Sequence, residues 1–251
     1  LGSAASKSLI ESVFKLNKVD IVFHAAAYKH VPIVEENPIQ GIDNNVNSTL
    51  VIASLAEKYN LEKMILVSSD KAVRPTNIMG TSKRLAELIV QAFANKQSSI
   101  NKTCFSIVRF GNVLNSSGSV VPFFEKQIRD GGPLTVTHKE IIRYFMTIDE
   151  AAQLVIQSSS LAKGGEVFLL DMGKPISIVN LAKQMINLSG LTLKDSKNLK
   201  GDIEIVYTGL RPGEKLYEEL LIQEKSEKTL HPLIFKANEN FLTYEKLIKE
   251  L

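Results

Sequence analysis

Hydrophobic positions along the chain fall into two patterns, short continuous runs and longer runs with helical spacing. The short runs are typical of strands and cover 19–24, 63–68, 103–110, 166–170 and 203–207. The longer runs repeat apolar residues every three or four positions and predict helices over 44–59, 78–93, 147–161 and 176–188, with another beginning at Glu214. Strands that alternate with helices of this length indicate an α/β fold with a parallel sheet.

The pattern changes after Arg109, where polar and glycine-rich loops interrupt shorter elements. A polar loop covers 111–118, and the sequence Gly131-Gly132-Pro133 is a strong turn signal. We therefore expect two domains, 1–111 and 112–251. Within the second, a segment of about 148–172 is expected to return to the first domain.

Composition excludes several classes of protein. The chain has 251 residues, of which 44% are hydrophobic and 23% charged, as in ordinary globular proteins. The single cysteine excludes an internal disulfide and a cysteine-rich zinc site, and no metal is expected. A net charge of +3 without a basic cluster gives no indication of nucleic-acid binding. No apolar run approaches the roughly 20 residues that span a bilayer.

The segment from Ser68 to Arg84 carries the most chemistry. A buried strand ends in a hydroxyl, a carboxylate and an amine, at Ser69, Asp70 and Lys71. Parallel sheets bind ligands at the carboxyl ends of their strands. Because consecutive side chains of a strand point to opposite faces, these three reach one ligand only if the strand ends there. We therefore predict irregular backbone from about Ser69.

At these residues the chain resembles a known family, the nucleotide-sugar 4,6-dehydratases of the polysaccharide-biosynthesis (CapD-like) branch. These belong to the extended short-chain dehydrogenase/reductase superfamily. The similar segments occur in order at 24–32, 68–84, 108–113, 143–148 and 207–215, followed by His231-Pro232. The ordered set is far more specific than any one segment.

The resemblance implies a Rossmann-like sheet that holds NAD and a smaller C-terminal domain that holds a UDP-sugar. It implies UDP-N-acetylglucosamine as substrate and a 4-keto-6-deoxy sugar nucleotide as product, formed for polysaccharide or glycan biosynthesis. In such enzymes hydride leaves sugar C4 for NAD, water is eliminated across C5 and C6, and hydride returns to C6. The cofactor stays tightly bound and is regenerated within each cycle.

The resemblance also implies residue roles. The wider superfamily uses Tyr-x-x-x-Lys, and here Met79 stands at the tyrosine position while Lys83 matches the lysine. A thioether does not transfer protons usefully, and the CapD-like branch commonly has methionine there. Elimination needs one base and one acid, for which the resemblance implies Lys71 and Asp70. Nearby cations would oppose the acid role of Asp70, which a coupled pair sharing one proton could resolve.

The expected site residues fall into three sets. The expected catalytic residues are Ser69, Asp70, Lys71, Met79 and Lys83, and the expected cofactor contacts are Ala25, Ala26, Ala27, Ser69 and Lys83. The expected substrate contacts are Lys29, His30, Asn112, Arg143, Arg211 and Glu214. Arginine suits a diphosphate because its planar fork donates two parallel hydrogen bonds.

The sequence departs from the family near its first residue. A dinucleotide site normally includes a glycine-rich turn after the first strand, and no GxGxxG or GxxGxxG sequence is present; Ser3 stands where the family usually has an aspartate. We interpret the chain as a truncated enzyme. Alternatives are a C5-inverting dehydratase of the same branch, a less favoured sugar-nucleotide 4-epimerase, and a non-catalytic fragment that binds a UDP-sugar or protein.

The resemblance further implies a cytoplasmic homo-oligomer. Any membrane contact would involve only segments upstream of this sequence, on the cytoplasmic side of the inner membrane.

Overall fold

The structure, a computed structural model, describes residues 1–96, 103–221, 226–237, 239 and 241–251. The α-helices are α1 (Lys7–Leu16), α2 (Val31–Glu36), α3 (Pro38–Ile42), α4 (Ser48–Lys58), α5 (Ile78–Ala94), α6 (Val120–Arg129), α7 (Ile148–Leu161), α8 (Ile178–Leu188) and α9 (Tyr244–Glu250). No helix among these described residues is both long enough and apolar enough to cross a membrane.

The strands confirm the predicted α/β class. They are β1 (Ile21–His24), β2 (Lys63–Ser69), β3 (Cys104–Phe110), β4 (Asn112–Val113), β5 (Leu134–Val136), β6 (Ile142–Arg143), β7 (Phe145–Met146), β8 (Val167–Leu170), β9 (Ile176–Ser177), β10 (Leu193–Lys194), β11 (Ile203–Tyr207), β12 (Glu227–Lys228) and β13 (Ile234–Ala237). All five predicted strands are present, with small shifts at their ends.

The chain divides into two compact units. Unit 1 comprises Leu1–Phe110, Ala152–Asp171 and Glu219–Leu251, and unit 2 comprises Gly111–Ala151 and Met172–Glu218. Residues 219–251 therefore group with unit 1, not with the second domain expected from sequence. The reason is strand pairing, since β13 adds antiparallel to β8 with Ile234 opposite Leu170.

The sheet of unit 1 has the strand order β1-β2-β3-β8-β13-β12. The pairs from β1 to β8 are parallel, and β13 and β12 extend the sheet with antiparallel pairing. Central strands β2 and β3 are buried over most of their length because helices such as α4 and α5 pack against the sheet. Strand β1 differs from the buried strand predicted over 19–24, since Ile21 and Phe23 are exposed at the sheet edge.

The predicted helix over 44–59 is present but has two parts. A π-helical turn, Asp43–Asn47, joins α3 to α4. Such a turn inserts an extra residue into the helical repeat and often accompanies functional sites. It directs the buried Asn45 side chain toward the segment after β1 and toward helix α5, as described below.

Unit 2 has its own core around a three-stranded sheet of order β10-β11-β5, all parallel. Helices α6 and α8 pack against β5, and their apolar residues include the buried Phe124, Ala182 and Ile186. The prediction of a helix that begins at Glu214 is wrong, because described residues 214–221 form no helix. The Arg143 guanidinium instead binds the carbonyls of Lys215 and Leu216, which a helix would need as acceptors.

Candidate active site

The end of β2 brings a hydroxyl, a carboxylate and an amine together. The strand stops at Ser69 and a 3₁₀ turn, Asp70–Ala72, follows, as predicted. The Ser69 hydroxyl and the Lys71 ammonium both donate to Asp70 Oδ1, at 2.8 and 2.9 Å. The Asp70 side chain is only 3% exposed, against 22% for Lys71. The three groups therefore form one hydrogen-bonded set around a buried carboxyl oxygen.

The first turn of α5 packs directly against this 3₁₀ turn. Asn77 caps the helix by accepting from the Gly80 amide at 2.7 Å, and Glu35 Oε1 accepts from the Ile78 amide. A β-carbon at Gly80 would collide with the Lys71 carbonyl oxygen. Glycine is therefore needed for the close approach that brings the turn beside Met79, which is 3% exposed.

Lys83 lies one helical turn after Met79, inside unit 1. Its ammonium donates to the Val67 carbonyl of β2 at 2.7 Å, and the residue is 7% exposed. Burial lowers the pKa of Lys83 to about 8, partly countered by the negative charge of Glu87. The site thus holds a buried cation close to the end of the sheet.

A neutral histidine at the end of β1 was not singled out from sequence. His24 is 4% exposed, and burial, with the nearby charge of Lys83, lowers its pKa to about 4. His24 Nε2 lies 3.1 Å from the Thr49 hydroxyl and 3.3 Å from the Ser48 hydroxyl. The Thr49 hydroxyl itself donates to the Asn45 carbonyl at 2.8 Å, which ties His24 to the segment that carries Asn45. A strand-terminal histidine was the only available sequence signal.

Asn45 connects three elements of unit 1. Its side chain accepts from the Tyr28 amide at 2.7 Å and donates to the Tyr28 carbonyl at 3.0 Å. It also donates to Ser82 Oγ at 2.9 Å, next to Lys83 on α5. Asn45 therefore holds the segment after β1 against the helix that carries Lys83.

The predicted cofactor residues after β1 occupy accessible positions. Ala25 and Ala26 are exposed and Ala27 is half-buried, in a segment without helix or strand. Lys29 is exposed and half-buried His30 precedes α2 as its N-cap residue, without a side-chain capping bond. All five residues belong to unit 1, together with Ser69, Asp70, Lys71, Met79 and Lys83.

The other predicted substrate residues lie together in unit 2. A cavity of about 420 Å³ is lined by Asn112, Arg143, Arg211 and Glu214, with Phe123 and Phe145 among its apolar walls. Asn112 donates to the Tyr144 carbonyl at 3.2 Å. Glu214 accepts from the Thr137 hydroxyl at 3.1 Å and from the Arg211 amide at 3.1 Å.

The two arginines of this cavity differ in their surroundings. Arg143 is 9% exposed, and its guanidinium donates to the carbonyls of Ile142, Lys215 and Leu216 at 2.7–3.1 Å. It also lies 3.5 Å from a Glu214 oxygen. Arg143 therefore anchors the segment after the Gly209–Gly213 turn, whereas Arg211 is exposed at the cavity.

Within the described ranges, no three His, Cys, Asp or Glu side chains form a group that could hold a metal ion. The hydroxyl, carboxyl, amine and guanidinium groups described above can transfer protons and bind anions and polar ligands.

The class that this architecture defines is an α/β protein with a Rossmann-like sheet, and its hydroxyl, carboxylate and ammonium groups lie at the carboxyl edge of that sheet. The sequence profile of a family described as "Polysaccharide biosynthesis protein" matches residues 1–239. The chain belongs to this family of polysaccharide biosynthesis proteins.

Two curated relatives illustrate its place in the family. The chain is 50% identical over 232 residues to the capsular polysaccharide biosynthesis protein CapD of Staphylococcus aureus, covering 92% of this chain and 36% of CapD. It is 37% identical over 213 residues to a UDP-glucose 4-epimerase of Rickettsia canadensis, covering 85% of this chain and 59% of that enzyme. The chain thus spans about a third of CapD.

Solved structures share the fold. Pen from Bacillus thuringiensis is 34% identical, with a TM-score of 0.84 over 97% of this chain and 71% of Pen. DesIV of Streptomyces venezuelae, a dTDP-glucose 4,6-dehydratase solved with NAD bound, is 18% identical with a TM-score of 0.74, covering 87% of this chain and 69% of DesIV. The second likeness concerns the fold alone.

Proposed function

We propose that the protein containing this chain is a UDP-N-acetylglucosamine 4,6-dehydratase, a lyase acting in polysaccharide or glycan biosynthesis. The observation that carries the proposal is the buried Asp70 carboxylate bonded to both the Ser69 hydroxyl and the Lys71 ammonium at the end of β2. Elimination of water needs a base and an acid in one place. This pair supplies both, sharing one proton.

Residues of unit 1 suit a nicotinamide cofactor. Lys83 supplies a buried cation at the carboxyl edge of the sheet, and the exposed Ala25 and Ala26 lack side chains that would obstruct a ligand. Lys83, Ser69 and the Ala25–Ala27 segment would hold the cofactor. A bound nicotinamide supplies the acceptor for hydride from sugar C4 and the donor that returns it to C6.

The elimination step is assigned to Asp70 and Lys71. With C4 oxidised to a carbonyl, the C5 proton becomes acidic and one member of the pair removes it, while the other protonates the departing C6 hydroxyl. Asp70 Oδ1 lies within hydrogen-bond distance of both Ser69 and Lys71, so the two members of the pair are in direct contact. We assign Lys71 as the base and Asp70 as the acid, the roles that the family resemblance implies.

The unit 2 cavity is proposed to bind the UDP portion of the substrate. The exposed Arg211 guanidinium faces the diphosphate, as expected for a planar fork of N–H donors. Glu214 accepts hydrogen bonds from the uridine ribose, and Arg143 holds the segment that carries both residues. The proposed holoenzyme is a cytoplasmic homo-oligomer.

The test is incubation of the full-length gene product with UDP-N-acetylglucosamine, followed by mass spectrometry. We expect a product lighter by one water, about 18 Da, and a loss of turnover of at least about 100-fold in Asp70→Asn, as for removal of a general acid or base. Asp20→Asn is the matched control, because that carboxylate is exposed just before β1. Full activity in Asp70→Asn would refute the assignment.

A sugar-nucleotide 4-epimerase is the second candidate, favoured by the 37% identity to the Rickettsia enzyme. An epimerase product has the same mass as its substrate, so the same experiment separates the two. A C5-inverting dehydratase gives the same loss of water and is recognised from the C5 configuration by NMR. Saturable UDP binding without turnover would identify a binding protein instead.

A further inference from the structure

Four charged side chains form a buried cluster in unit 1 that the proposed chemistry does not use. This charge cluster consists of Arg84, Glu87, Arg109 and Glu239. Arg109 binds both oxygens of Glu87 at 2.6 Å and both oxygens of Glu239 at 2.5 and 2.8 Å. Arg84 Nη1 reaches one oxygen of each carboxylate at 2.9 Å. Two cations therefore balance two anions.

Three members of the cluster are shielded from water, and the fourth, Arg84, is 17% exposed. The side chains of Arg109 and Glu87 have no exposed surface, and that of Glu239 is 2% exposed. Burial alone would raise the pKa of Glu87, but bonds and charges from Arg109, Ser68 and Arg84 hold it below its usual value. Apolar residues often replace such clusters without loss of stability, so stability by itself is a weak reason for this arrangement.

The cluster's neighbours in the chain are the candidate catalytic groups. Glu87 lies on α5, one turn after Lys83. The Ser68 hydroxyl donates to Glu87 Oε1 at 2.7 Å, and Ser68 immediately precedes the Ser69–Lys71 segment. Arg109 lies opposite Ser68 in the β2–β3 ladder. Glu239 reaches this place from the C-terminal part of the chain, 130 residues from Arg109.

We propose that the charge cluster positions Lys83 and the Ser69–Lys71 segment, and that Glu239 makes the C-terminal segment part of this support. The cluster also sets the local potential at Lys83. The inference rests on the proposed function only in assigning Lys83 a role toward a cofactor. The link between the charge cluster and Lys83 can be tested without any ligand.

The potential at Lys83 follows from the groups around it. Glu87 contributes a negative charge from α5, neutral His24 faces Lys83 from β1, and the Val67 carbonyl accepts its hydrogen bond from β2. Removing a negative charge from the cluster makes an ammonium at Lys83 less favourable. Removing a positive charge has the opposite effect.

The experiment measures the pH dependence of Lys83 acetylation by trace acetic anhydride, read by peptide mass spectrometry between about pH 6 and 11. Glu87→Gln and Glu239→Gln should lower the labelling midpoint, the pH at which Lys83 acetylation is half-maximal, by about half a pH unit or more. Arg84→Gln should raise it. A variant that merely loosened the structure would move the midpoint upward, toward the ordinary lysine value of about 10.4, whichever charge was removed.

Controls keep the test decisive. Glu227→Gln removes an exposed carboxylate from β12 that pairs with Lys236, and should leave the Lys83 midpoint unchanged. Melting temperatures identify variants that fail to fold. Arg84→Gln preserves both pairs of bonds from Arg109 and is the variant to use if the glutamate variants do not fold. Because a loosened structure would also raise the midpoint, its upward shift supports the proposal only if its melting temperature matches that of the wild type, and an unchanged or lower midpoint overturns it. An unchanged midpoint in any folded cluster variant, or an upward shift in Glu87→Gln, would overturn the proposal.

Turnover provides a second readout in the full-length protein. If the cluster only positions these groups, Glu239→Gln should lower kcat at least about 10-fold while KM for the UDP-sugar stays near wild type. An unchanged kcat in a folded Glu239→Gln protein would contradict the positioning role. Absence of turnover in the wild type would count against the proposed function alone, because the labelling test needs no substrate.

Discussion

Individual side chains at the ends of β1 and β2 are in unusual protonation environments. Buried His24 stays neutral, and buried Lys83 has its pKa lowered to about 8 while bonded to a carbonyl. Both effects have the same main cause, the cost of removing a charge from water. These two residues carry a pH dependence that can be measured without substrate.

The buried histidine predicts how the fold responds to acid. Its pKa is about 4 in the folded chain and 6.5 in ordinary surroundings. As pH falls from 6.5 to 4, the unfolded chain takes up the proton first, so the free energy of unfolding decreases by up to about 3 kcal/mol. Denaturant titrations across this range should show a smaller decrease for His24→Gln.

The control for this prediction is His138→Gln, which removes a half-buried histidine from unit 2. It should show the same loss of stability toward pH 4 as the wild type. If the free energy of unfolding fell equally with pH in the wild type and in His24→Gln, the assignment of this effect to His24 would be contradicted.

Helix α5 is the element that combines the site with its support. Its first turns carry Met79 and Lys83, its N-terminus packs on the Asp70–Ala72 turn, and its next turn contributes Glu87 to the charge cluster. A shift of this one helix would therefore disturb every candidate catalytic group of unit 1. A side chain at Gly80 would produce such a shift, because its β-carbon would lie too close to the Lys71 carbonyl oxygen.

Gly80→Ala tests this packing. The added methyl group meets the Lys71 backbone, which cannot rotate away, so the helix or the turn must move. We expect a loss of about 1–3 kcal/mol in the free energy of unfolding, measured by urea denaturation. Because Thr81 is exposed on the same turn, Thr81→Ala is the control and should cost less. Equal stability of wild type and Gly80→Ala would disprove the required close approach.

At the scale of the whole molecule, the C-terminal segment completes unit 1. Strand β13 joins the sheet, and α9 places Tyr244 edge-on against Phe93 at 5.1 Å, with Lys96 over its ring at 4.4 Å. Leu247 of α9 is 2% exposed and belongs to the main core. Although it lies last in the chain, this segment is an integral part of the fold.

Removing α9 by a stop codon after Leu242 should therefore destabilise unit 1. Loss of Leu247 and of the Tyr244 ring contacts should lower the free energy of unfolding by several kcal/mol, about 3–5 for such buried groups. Thermal unfolding followed by circular dichroism measures the effect. Lys249→Ala in the exposed last turn is the control, and a truncated chain that melts like the wild type would refute the prediction.

Local rules predicted much of this molecule. The apolar runs gave β2, β3 and α5, because those elements are buried in the pattern that their periodicity requires. The break after Ser69 followed from strand geometry. Periodicity could not reveal the π-helical turn at Asp43–Asn47, which changes the repeat locally.

Long-range contacts lay beyond those rules. The pairing of Arg109 with Glu239 depends on how β13 joins the sheet, which no local pattern encodes. The sequence after Glu214 allows a helix, which is why a helix was predicted there. In the structure, the Arg143 guanidinium instead donates hydrogen bonds to the carbonyls of Lys215 and Leu216. The cavity residues of unit 2 were predicted through family resemblance, and the structure brings four of them together.

The division of the chain into units has a consequence for synthesis and for evolution. The polypeptide changes unit after Phe110, Ala151, Asp171 and Glu218, so neither unit is encoded by one continuous stretch of gene. A ribosome must synthesise β13 before it can pair with β8, so the sheet of unit 1 is completed only after both segments of unit 2 have been made. A single recombination crossover therefore cannot exchange either unit for that of a relative, so one unit changes alone more readily by point substitution.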